Sequence, residues 1–262
     1  MKLGLEGKVA AVAAGSRGIG RATARLLAAE GARVAICGRD GGRIQAAARE
    51  LAAQTRAEVI GIVADIGNAD DCRTFIAETA RAFGGIDILV TNTGGPPPGR
   101  FDAIGWHDWE VAFRVTLANV VHLVAAAAPA MRNKRWGRIV NIASVSAKQP
   151  IDGLVLSNAF RPAIVGLAKT LSYELGGDGI TVNTVCPGYT RTERLEELAD
   201  SRVKPGKTRD QVFDDLARNT ALGRIAEPEE IAAVIAFLCS EPASYLTGVT
   251  LAVDGGAIRG LA

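Results

Sequence analysis

Short apolar runs alternate with longer amphipathic segments along the whole chain. An almost wholly apolar run bounded by turn residues is typical of a strand buried on both faces. Apolar residues that recur every three or four positions instead indicate one face of a helix. The predicted strands are 9–13, 33–37, 58–63, 87–91, 137–142, 181–186 and 249–253. The predicted helices are 18–30, 41–54, 68–83, 106–132, 157–175 and 228–240.

Strands that alternate with helices imply a parallel sheet covered on both faces. We therefore expect an α/β fold, a single Rossmann-type doubly wound parallel sheet of about seven strands. Because no linker, repeat or low-complexity segment divides the chain, residues 1–262 are predicted to be one domain. Residues 190–225 are polar and charged, which favours one or two short inserted helices that act as a lid. A solvated surface excursion is the alternative.

Composition narrows the functional classes. The chain has 262 residues, 48% of them apolar, and a net charge of +2, which is too balanced to indicate nucleic-acid binding. The apolar stretch 115–131 contains polar residues and a proline, so we expect a buried helix and no membrane association. The N-terminal residues lack the apolar core of a signal peptide, and the four cysteines have no metal or disulfide spacing. A reduced, cytoplasmic protein without a metal is expected.

The first predicted strand leads into a small-residue turn, 13–20, and then into a helix. This order points the helix N-terminus, with its unpaired N–H groups and partial positive charge, into the turn. Small residues there let a pyrophosphate approach the backbone. Because 33–37 completes a βαβ unit, nucleotide binding is favoured over a plain strand-to-helix turn.

The end of the second strand indicates which dinucleotide binds. An NAD site places an acidic residue there to accept from the ribose 2′-hydroxyl, but Gly38 leaves that place empty. Arg39 follows it and Arg17 lies in the turn, and two guanidinium groups suit the 2′-phosphate of NADP. NADP(H) is therefore expected, while Asp40 keeps NAD(H) open. Asp65 ends the third strand, where it can face the adenine amino group.

Several motifs occur in one order along nearly the full length: the turn 13–20, Asp65, 91–94, 137–144, 183–188 and 247–256. On these motifs the chain resembles the classical short-chain dehydrogenase/reductase family, particularly its 3-oxoacyl-acyl-carrier-protein reductase-like members. The resemblance implies hydride transfer between nicotinamide and a carbonyl or alcohol substrate. It also implies a homodimer or homotetramer.

The chain departs from the family pattern at the catalytic residues. Ser144 matches the family's serine, but Thr116 stands where the family has asparagine. The family's Tyr-x-x-x-Lys aligns with Ser157 and Arg161. The family's glycine loop begins Thr-Gly, whereas this chain has two alanines, the second being Ala14. Alanine is small, so binding is expected to survive if this position keeps a negative φ.

These replacements affect proton transfer more than binding. An aliphatic hydroxyl is a far weaker acid than a phenol, so Ser157 is a poor substitute, and losing a general acid typically costs about 10²- to 10⁴-fold. Arg161 can hold the ribose, but it cannot shuttle a proton because guanidinium stays protonated. Pro162 has no N–H, so this helix is expected to begin later than in the family or to kink.

Two residues are candidates for the missing proton donor. Lys148 follows Ser144 in the segment that lines the substrate pocket of relatives, and an ammonium is about as acidic as a phenol. Tyr189 borders the nicotinamide side in relatives and already carries a phenol. Lys148 is the better candidate, with a solvent-facing loop residue or a binder of an anionic substrate group as alternatives. Tyr189 as a packing residue is the alternative at that position.

The sequence thus yields a list of candidate site residues and two functional hypotheses. The catalytic candidates are Ser144, Ser157, Arg161, Lys148 and Tyr189. The cofactor-binding candidates are Gly15, Ser16, Arg17, Gly18, Ile19, Gly20, Arg39, Asp65, Ile66, Asn92, Gly94, Arg161, Pro187, Gly188 and Thr190. The first hypothesis is an NADP(H)-dependent carbonyl reductase or alcohol dehydrogenase with an atypical proton donor. The second is a catalytically impaired NADP-binding sensor or partner subunit.

Overall fold

A computed structural model describes residues 2–201, 203 and 208–260. It contains one seven-stranded sheet in the order β3-β2-β1-β4-β5-β6-β7, with every neighbouring pair parallel. The strands are β1 Val9–Val12, β2 Arg33–Gly38, β3 Val59–Val63, β4 Ile88–Thr91, β5 Gly137–Ile142, β6 Ile180–Pro187 and β7 Thr250–Val253. All seven predicted strands are confirmed, and with them the doubly wound α/β fold.

The helices flank this sheet and connect its parallel strands. They are α1 Gly18–Ala29, α2 Gly41–Thr55, α3 Ala69–Phe83, α4 Trp106–Phe113, α5 Asn119–Lys134, α6 Val155–Gly176, α7 Glu193–Ser201, α8 Arg209–Arg218 and α9 Pro228–Leu238. The predicted helix 106–132 is in fact two α-helices joined by a π-helical turn, Arg114–Ala118. π turns interrupt α-helices at a local cost and are frequent at functional sites.

Two apolar cores lie on the two faces of the sheet. Successive residues of β1 point to opposite faces, so Val9 and Ala11 belong to one core and Ala10 and Val12 to the other. The run Trp106–Lys134 is long and apolar enough to cross a membrane, yet half of its most apolar window is buried inside the fold. Its residues Leu123 and Met131 are fully buried in the first core, as expected for a core helix of such a sheet.

The helix that carries Arg161 starts close to its predicted start at residue 157. α6 begins at Val155, and Pro162 lies inside it, beyond its first turn. Apolar side chains on one face of α6, among them Leu156 and Ile164, are buried against the sheet. Tertiary packing of that face outweighs the one backbone hydrogen bond that the proline removes.

The polar segment after β6 forms the two helices α7 and α8, which share a small apolar cluster of their own. Within the predicted insertion 190–225, residues 202 and 204–207 lie outside the described residues. The strand order reverses between β1 and β4, and in open parallel sheets ligands bind at the carboxyl ends of strands beside such a switch point. α7 follows the carboxyl end of β6, at the same edge of the sheet.

Candidate functional site

The turn after β1 is held to both neighbouring strands by backbone hydrogen bonds. The Ala13 N–H donates to the Val90 carbonyl oxygen and the Gly15 N–H to that of Cys37, each at 3.0 Å. A β-carbon at position 15 would lie 2.6 Å from Ile36 Cγ2, which is a clash. A β-carbon at position 20 would lie 2.5 Å from the carbonyl oxygen of Ala14. Glycine is therefore required at both positions for the turn to close.

Ala14 adopts a left-handed conformation. Its φ is 47°, so the condition of a negative φ, under which binding was expected to survive, is not met. A left-handed conformation costs a non-glycine residue about 1–2 kcal/mol. The hydrogen bonds that hold the turn on both sides fix this conformation, and the carbonyl oxygen of Ala14 still accepts from Asn92 Nδ2 at 3.4 Å.

The first helix presents an open N-terminus to the turn. Its N-cap, Arg17, offers no side-chain hydrogen bond, and its first turn holds no acidic residue. In contrast, Asp40 and Asn68 cap α2 and α3 with their side chains. Unsatisfied N–H groups at a helix N-terminus, approached across glycines, form a binding site for a phosphate. The candidates Gly18, Ile19 and Gly20 all lie in this first turn.

The acidic and basic groups beyond β2 favour NADP(H). The Asp40 carboxylate accepts from the Arg43 N–H at 2.9 Å, so it caps α2 and is engaged in the helix. A β-carbon at Gly38 would lie 3.6 Å from Ser16 Oγ, which places this hydroxyl beside the position where an NAD site carries its acid. Arg39 is exposed and forms no ion pair with any described residue. Arg17 forms an ion pair with Glu193 of α7. The side chains therefore fit a 2′-phosphate.

Polar side chains follow β3 and β4 at the same sheet edge. The exposed Asp65 accepts from the Gly67 N–H at 2.9 Å through Oδ1, and Ile66 beside it is half-buried. A β-carbon at Gly94 would meet nothing within 4 Å, so open space lies above this loop. Asp65 and Gly94 are accessible where the adenosine half of a dinucleotide is expected.

Three serines lie together at the carboxyl end of β5. Ser144 Oγ accepts from the Ser146 N–H at 3.1 Å and caps a 3₁₀ turn, Val145–Ala147. The hydroxyls of Ser146 and Ser157 are 2.8 Å apart. Sequence reasoning missed Ser146, although it follows Ser144 by two residues and is buried. The structure thus brings Ser144 and Ser157 together through a third serine.

Arg161 is buried next to this cluster. Its Nη1 donates to the Ile142 carbonyl oxygen at 2.8 Å, whereas its Nε has no partner. Burial lowers the pKa of its guanidinium from 12.5 to about 10, with Cys186 and Arg194 as further influences. Thr116 lies in the π turn, which packs against α6, and its buried hydroxyl also has no partner. Two of the altered catalytic positions therefore carry unsatisfied buried polar atoms.

The remaining candidates surround the carboxyl end of β6. Lys148 is exposed and directly follows the 3₁₀ turn. It lies close enough to Cys186 for its positive charge to lower the pKa of that thiol. A β-carbon at Gly188 would lie 2.7 Å from the Asp254 Cα, so the loop after Pro187 passes tightly over β7. Thr190 Oγ1 donates to the Gly188 carbonyl oxygen at 3.1 Å. Tyr189 packs against the apolar cluster of α7 and α8, as its alternative reading expected.

Comparison with known proteins identifies the family. Residues 13–257 match the family profile described as enoyl-(acyl carrier protein) reductase. The chain is 35% identical to the 3-oxoacyl-[acyl-carrier-protein] reductase FabG of Aquifex aeolicus, over 98% of this chain and 99% of that protein. Both descriptions name reductases that act on acyl carrier protein substrates.

Solved structures with the same fold include reductases that are complexed with NADPH. L-Sorbose reductase from Gluconobacter frateurii, complexed with NADPH and L-sorbose, superposes with a TM-score of 0.95 at 31% identity, over 100% of both chains. A variant of actinorhodin polyketide ketoreductase with NADPH gives a TM-score of 0.92 at 30% identity, over 97% of this chain and 98% of that one. These neighbours bind the cofactor that the residues around Gly38 favour. The chain belongs to the short-chain dehydrogenase/reductase family, among the members similar to 3-oxoacyl-acyl-carrier-protein reductases.

Proposed function

We propose that this protein is an NADP(H)-dependent reductase that transfers hydride between nicotinamide and a carbonyl or alcohol substrate, with an atypical proton donor. One observation carries the proposal. The carboxyl end of β5 brings together Ser144, Ser157 and Arg161. The uncapped N-terminus of α1, which can bind a phosphate, lies at the same edge of the sheet. A cofactor site and a polar reaction site therefore share one cleft.

The cofactor supplies a hydride when it is bound, and the protein positions it. The N–H groups at the start of α1 receive the pyrophosphate, while Arg17 and Arg39 hold the 2′-phosphate by charge-assisted hydrogen bonds. Asp65 accepts from the adenine amino group, with Ile66, Asn92 and Gly94 lining the adenosine side. Arg161 binds the nicotinamide ribose, and Pro187, Gly188 and Thr190 line the nicotinamide side. Glu193 must release Arg17 when the 2′-phosphate binds, because the carboxylate and the phosphate are both anions.

Proton transfer is assigned to the side chains around Ser144. The Oγ of Ser144 accepts from the Ser146 N–H, so its own proton is free to point to a substrate oxygen. As hydride reaches the carbonyl carbon, that oxygen takes a proton and becomes a hydroxyl. Lys148 is the donor in this proposal, because its ammonium is about as acidic as the missing phenol. Ser157, whose hydroxyl is bonded to that of Ser146, orders the cluster.

The proposal extends to organisation and location. The chain is proposed to act as one domain, with α7 and α8 forming a lid over the cleft. Exposed apolar side chains on the helices of one layer, including Phe113, Val121 and Tyr173, support a homodimer or homotetramer. Light scattering that finds a monomer at micromolar concentration would contradict this. Four buried free thiols support a reducing compartment such as the cytoplasm.

A second candidate function is a catalytically impaired NADP-binding sensor or partner subunit. It is favoured by the simultaneous change of three catalytic residue types, at Thr116, Ser157 and Arg161. Tyr189, a possible substitute donor, is engaged in the apolar cluster beneath α7 and α8. Such a protein keeps the nucleotide site and loses turnover.

Oxidation of NADPH against a panel of ketones and aldehydes separates the two candidates. We expect turnover, and a decrease of about 10²- to 10⁴-fold in kcat on Lys148→Met, since a general acid contributes that much. Lys169→Met, on the exposed side of α6, is the control and keeps the parent rate. An unchanged rate in Lys148→Met eliminates it as the donor. Tight NADPH binding without turnover of any carbonyl compound favours the sensor.

A further inference from the structure

Arg161 is a buried cation whose charge the protein does not balance. The residue is only 6% exposed, and among the described residues its one hydrogen bond is made by Nη1 to the carbonyl oxygen of Ile142. Its pKa of about 10 leaves the guanidinium charged at neutral pH. A buried charge is costly unless it is paired. The fold therefore keeps an unfavourable group at this position.

No described residue supplies the missing negative charge. The groups that influence the pKa of Arg161 are Cys186 and Arg194, and no described carboxylate forms an ion pair with it. Burial raises the pKa of the Cys186 thiol above its usual 9.0, so it is uncharged at neutral pH. Arg194 is a second cation. Asp254 lies near Cys186, but its two oxygens accept from the N–H groups of Gly256 and Ile258.

The two arginines converge on the loop after β4. A β-carbon at Gly95 would lie 3.4 Å from Arg161 Nη2 and 3.8 Å from Arg194 Nε. Arg194 reaches this place from α7 and is held there by a hydrogen bond from its Nη2 to the Pro96 carbonyl oxygen. Its only described carboxylate partner is the exposed Glu197, at 3.3 Å. Lys148 adds a third cation on the side of Cys186.

We propose that the substrate of this enzyme carries a carboxylate, which binds between Arg161 and Arg194 while its carbonyl group faces Ser144. This inference rests on the proposed function, because it names the substrate class of the same site. A planar carboxylate matches the fork of a guanidinium and forms charge-assisted hydrogen bonds with it. The nicotinamide ribose is uncharged and leaves the charge of Arg161 unbalanced. A small oxo acid supplies both the negative charge and the carbonyl group.

The test compares each acid with its methyl ester, which lacks the negative charge and is larger by one methyl group. The pairs are 2-oxobutanoate, 3-oxobutanoate and 4-oxopentanoate, each against its methyl ester, with turnover measured by NADPH oxidation. At least one acid is expected to exceed its ester about 10- to 100-fold in kcat/KM, the worth of one hydrogen bond to a charged group. The preference should stay constant from pH 6 to 9, because Arg161 remains charged below its pKa of about 10. Esters that react as well as their acids would overturn the proposal.

Calorimetry on the protein saturated with NADP⁺ gives a readout that needs no turnover. Binding of an acid without binding of its ester is expected. If no acid binds but a neutral ketone is reduced, the carboxylate site is wrong while the reductase function stands. If neither acids nor neutral carbonyl compounds react, the reductase function itself fails.

Two matched variants test whether Arg194 causes the preference for the acid over its ester. Arg194→Gln should lower the preference for the acid over its ester about 10-fold or more, since it removes a cation that contacts the carboxylate. Arg218→Gln removes an arginine from α8 that is likewise paired with an acidic residue three positions away, at Asp215, and should leave the preference unchanged. Arg161→Lys keeps the charge and should retain part of the preference. Equal preferences in Arg194→Gln and Arg218→Gln would overturn the assignment.

Discussion

The two halves of this sheet differ in how completely their polar groups are hydrogen bonded. In the nucleotide half, residues 2–91, side chains cap α2 and α3, and the turn after β1 is hydrogen bonded to both neighbours. In the catalytic half, residues 106–190, α6 starts without a side-chain cap. The described residues contain six buried side-chain polar atoms without a partner, in Thr23, Thr116, Asn141, Arg161, Thr181 and Thr184. Only Thr23 lies in the nucleotide half.

This difference shows which half of the sheet satisfies its buried polar groups within the fold. Buried polar groups are almost always satisfied in folded proteins, so unsatisfied ones indicate strain or a ligand. The nucleotide half keeps what a dinucleotide needs, with two non-glycine residues, Ala14 and Arg56, in the left-handed conformation. The catalytic half instead holds the buried guanidinium of Arg161 and five of the six partnerless polar atoms. The unsatisfied polar groups are therefore concentrated where the reaction site is proposed.

The largest expected effect concerns the nucleotide half. The double variant Arg17→Ala, Arg39→Ala should raise the Kd for NADPH about 10²- to 10⁴-fold, because each arginine contributes a hydrogen bond to a charged phosphate. The Kd for NADH, which has no 2′-phosphate, should change little. Fluorescence titration with both nucleotides measures the preference. Arg21→Ala, whose side chain is paired with Glu50 on the surface, is the control. Equal weakening for both nucleotides would remove the basis for assigning NADP(H).

The next prediction compares two buried arginines. Arg161→Met should stabilise the ligand-free protein by about 1–4 kcal/mol, because methionine removes an unpaired buried charge while filling a similar volume. Arg138→Met should destabilise it instead. Arg138 is 3% exposed, but it donates to two carbonyl oxygens and lies 3.8 Å from Glu241. Thermal unfolding should show opposite shifts of several degrees.

The pH dependence gives the sign of the Arg161 effect. Its pKa is lower in the folded protein than the usual 12.5, so the cost of the buried charge is fully present below about pH 10. Between about pH 10 and 12.5 the folded protein holds fewer protons, and this cost disappears. The stabilisation by Arg161→Met should therefore shrink over that range. A destabilised Arg161→Met at neutral pH would show that the guanidinium is satisfied after all, and the contrast between the halves would weaken.

The smallest expected effect concerns the ion pair between Arg17 of the nucleotide half and Glu193 of α7, the helix that follows the catalytic half. Glu193→Gln removes the ion pair between α7 and Arg17, and so frees this cation for the 2′-phosphate. NADPH should bind up to about fivefold more tightly, the usual range for an exposed ion pair. Glu196→Gln, which removes the contact to Arg209 at 3.6 Å, is the matched control on the same helix. Weaker NADPH binding in Glu193→Gln would mean that Glu193 positions Arg17 for the nucleotide.

The sequence predicted the nucleotide half well because its signals are local. The apolar run of β1, the small residues of the turn and the amphipathic pattern of α1 each constrain a few neighbouring residues. The sign of the Ala14 φ was missed, because two hydrogen bonds from other strands impose it. Asp40 could not be assigned from sequence either, since whether it caps α2 or faces a ribose depends on a side-chain rotamer.

The catalytic half was predicted less completely because it is assembled from distant segments. The hydroxyl contact of Ser146 with Ser157 joins residues 11 positions apart on separate elements. The predicted helix 157–175 matches α6, in which the packing of Leu156 and Ile164 against the sheet keeps Pro162 inside the helix. From sequence, Lys148 was preferred over Tyr189 as the donor. The structure adds that Tyr189 packs against the apolar cluster of α7 and α8, a contact between segments that the sequence pattern does not contain.

The sequence by itself determined the order of strands and helices, the small-residue turn after the first strand, and the serine and arginine at positions 157 and 161. These features are written in residue types and short spacings. Only the tertiary structure decided that Arg161 is buried without a counter-charge and that Arg194 reaches the same loop from α7. Burial and charge balance depend on which segments of the chain meet in space. Arg161 and Arg194 are 33 positions apart, so no local sequence pattern shows that they meet.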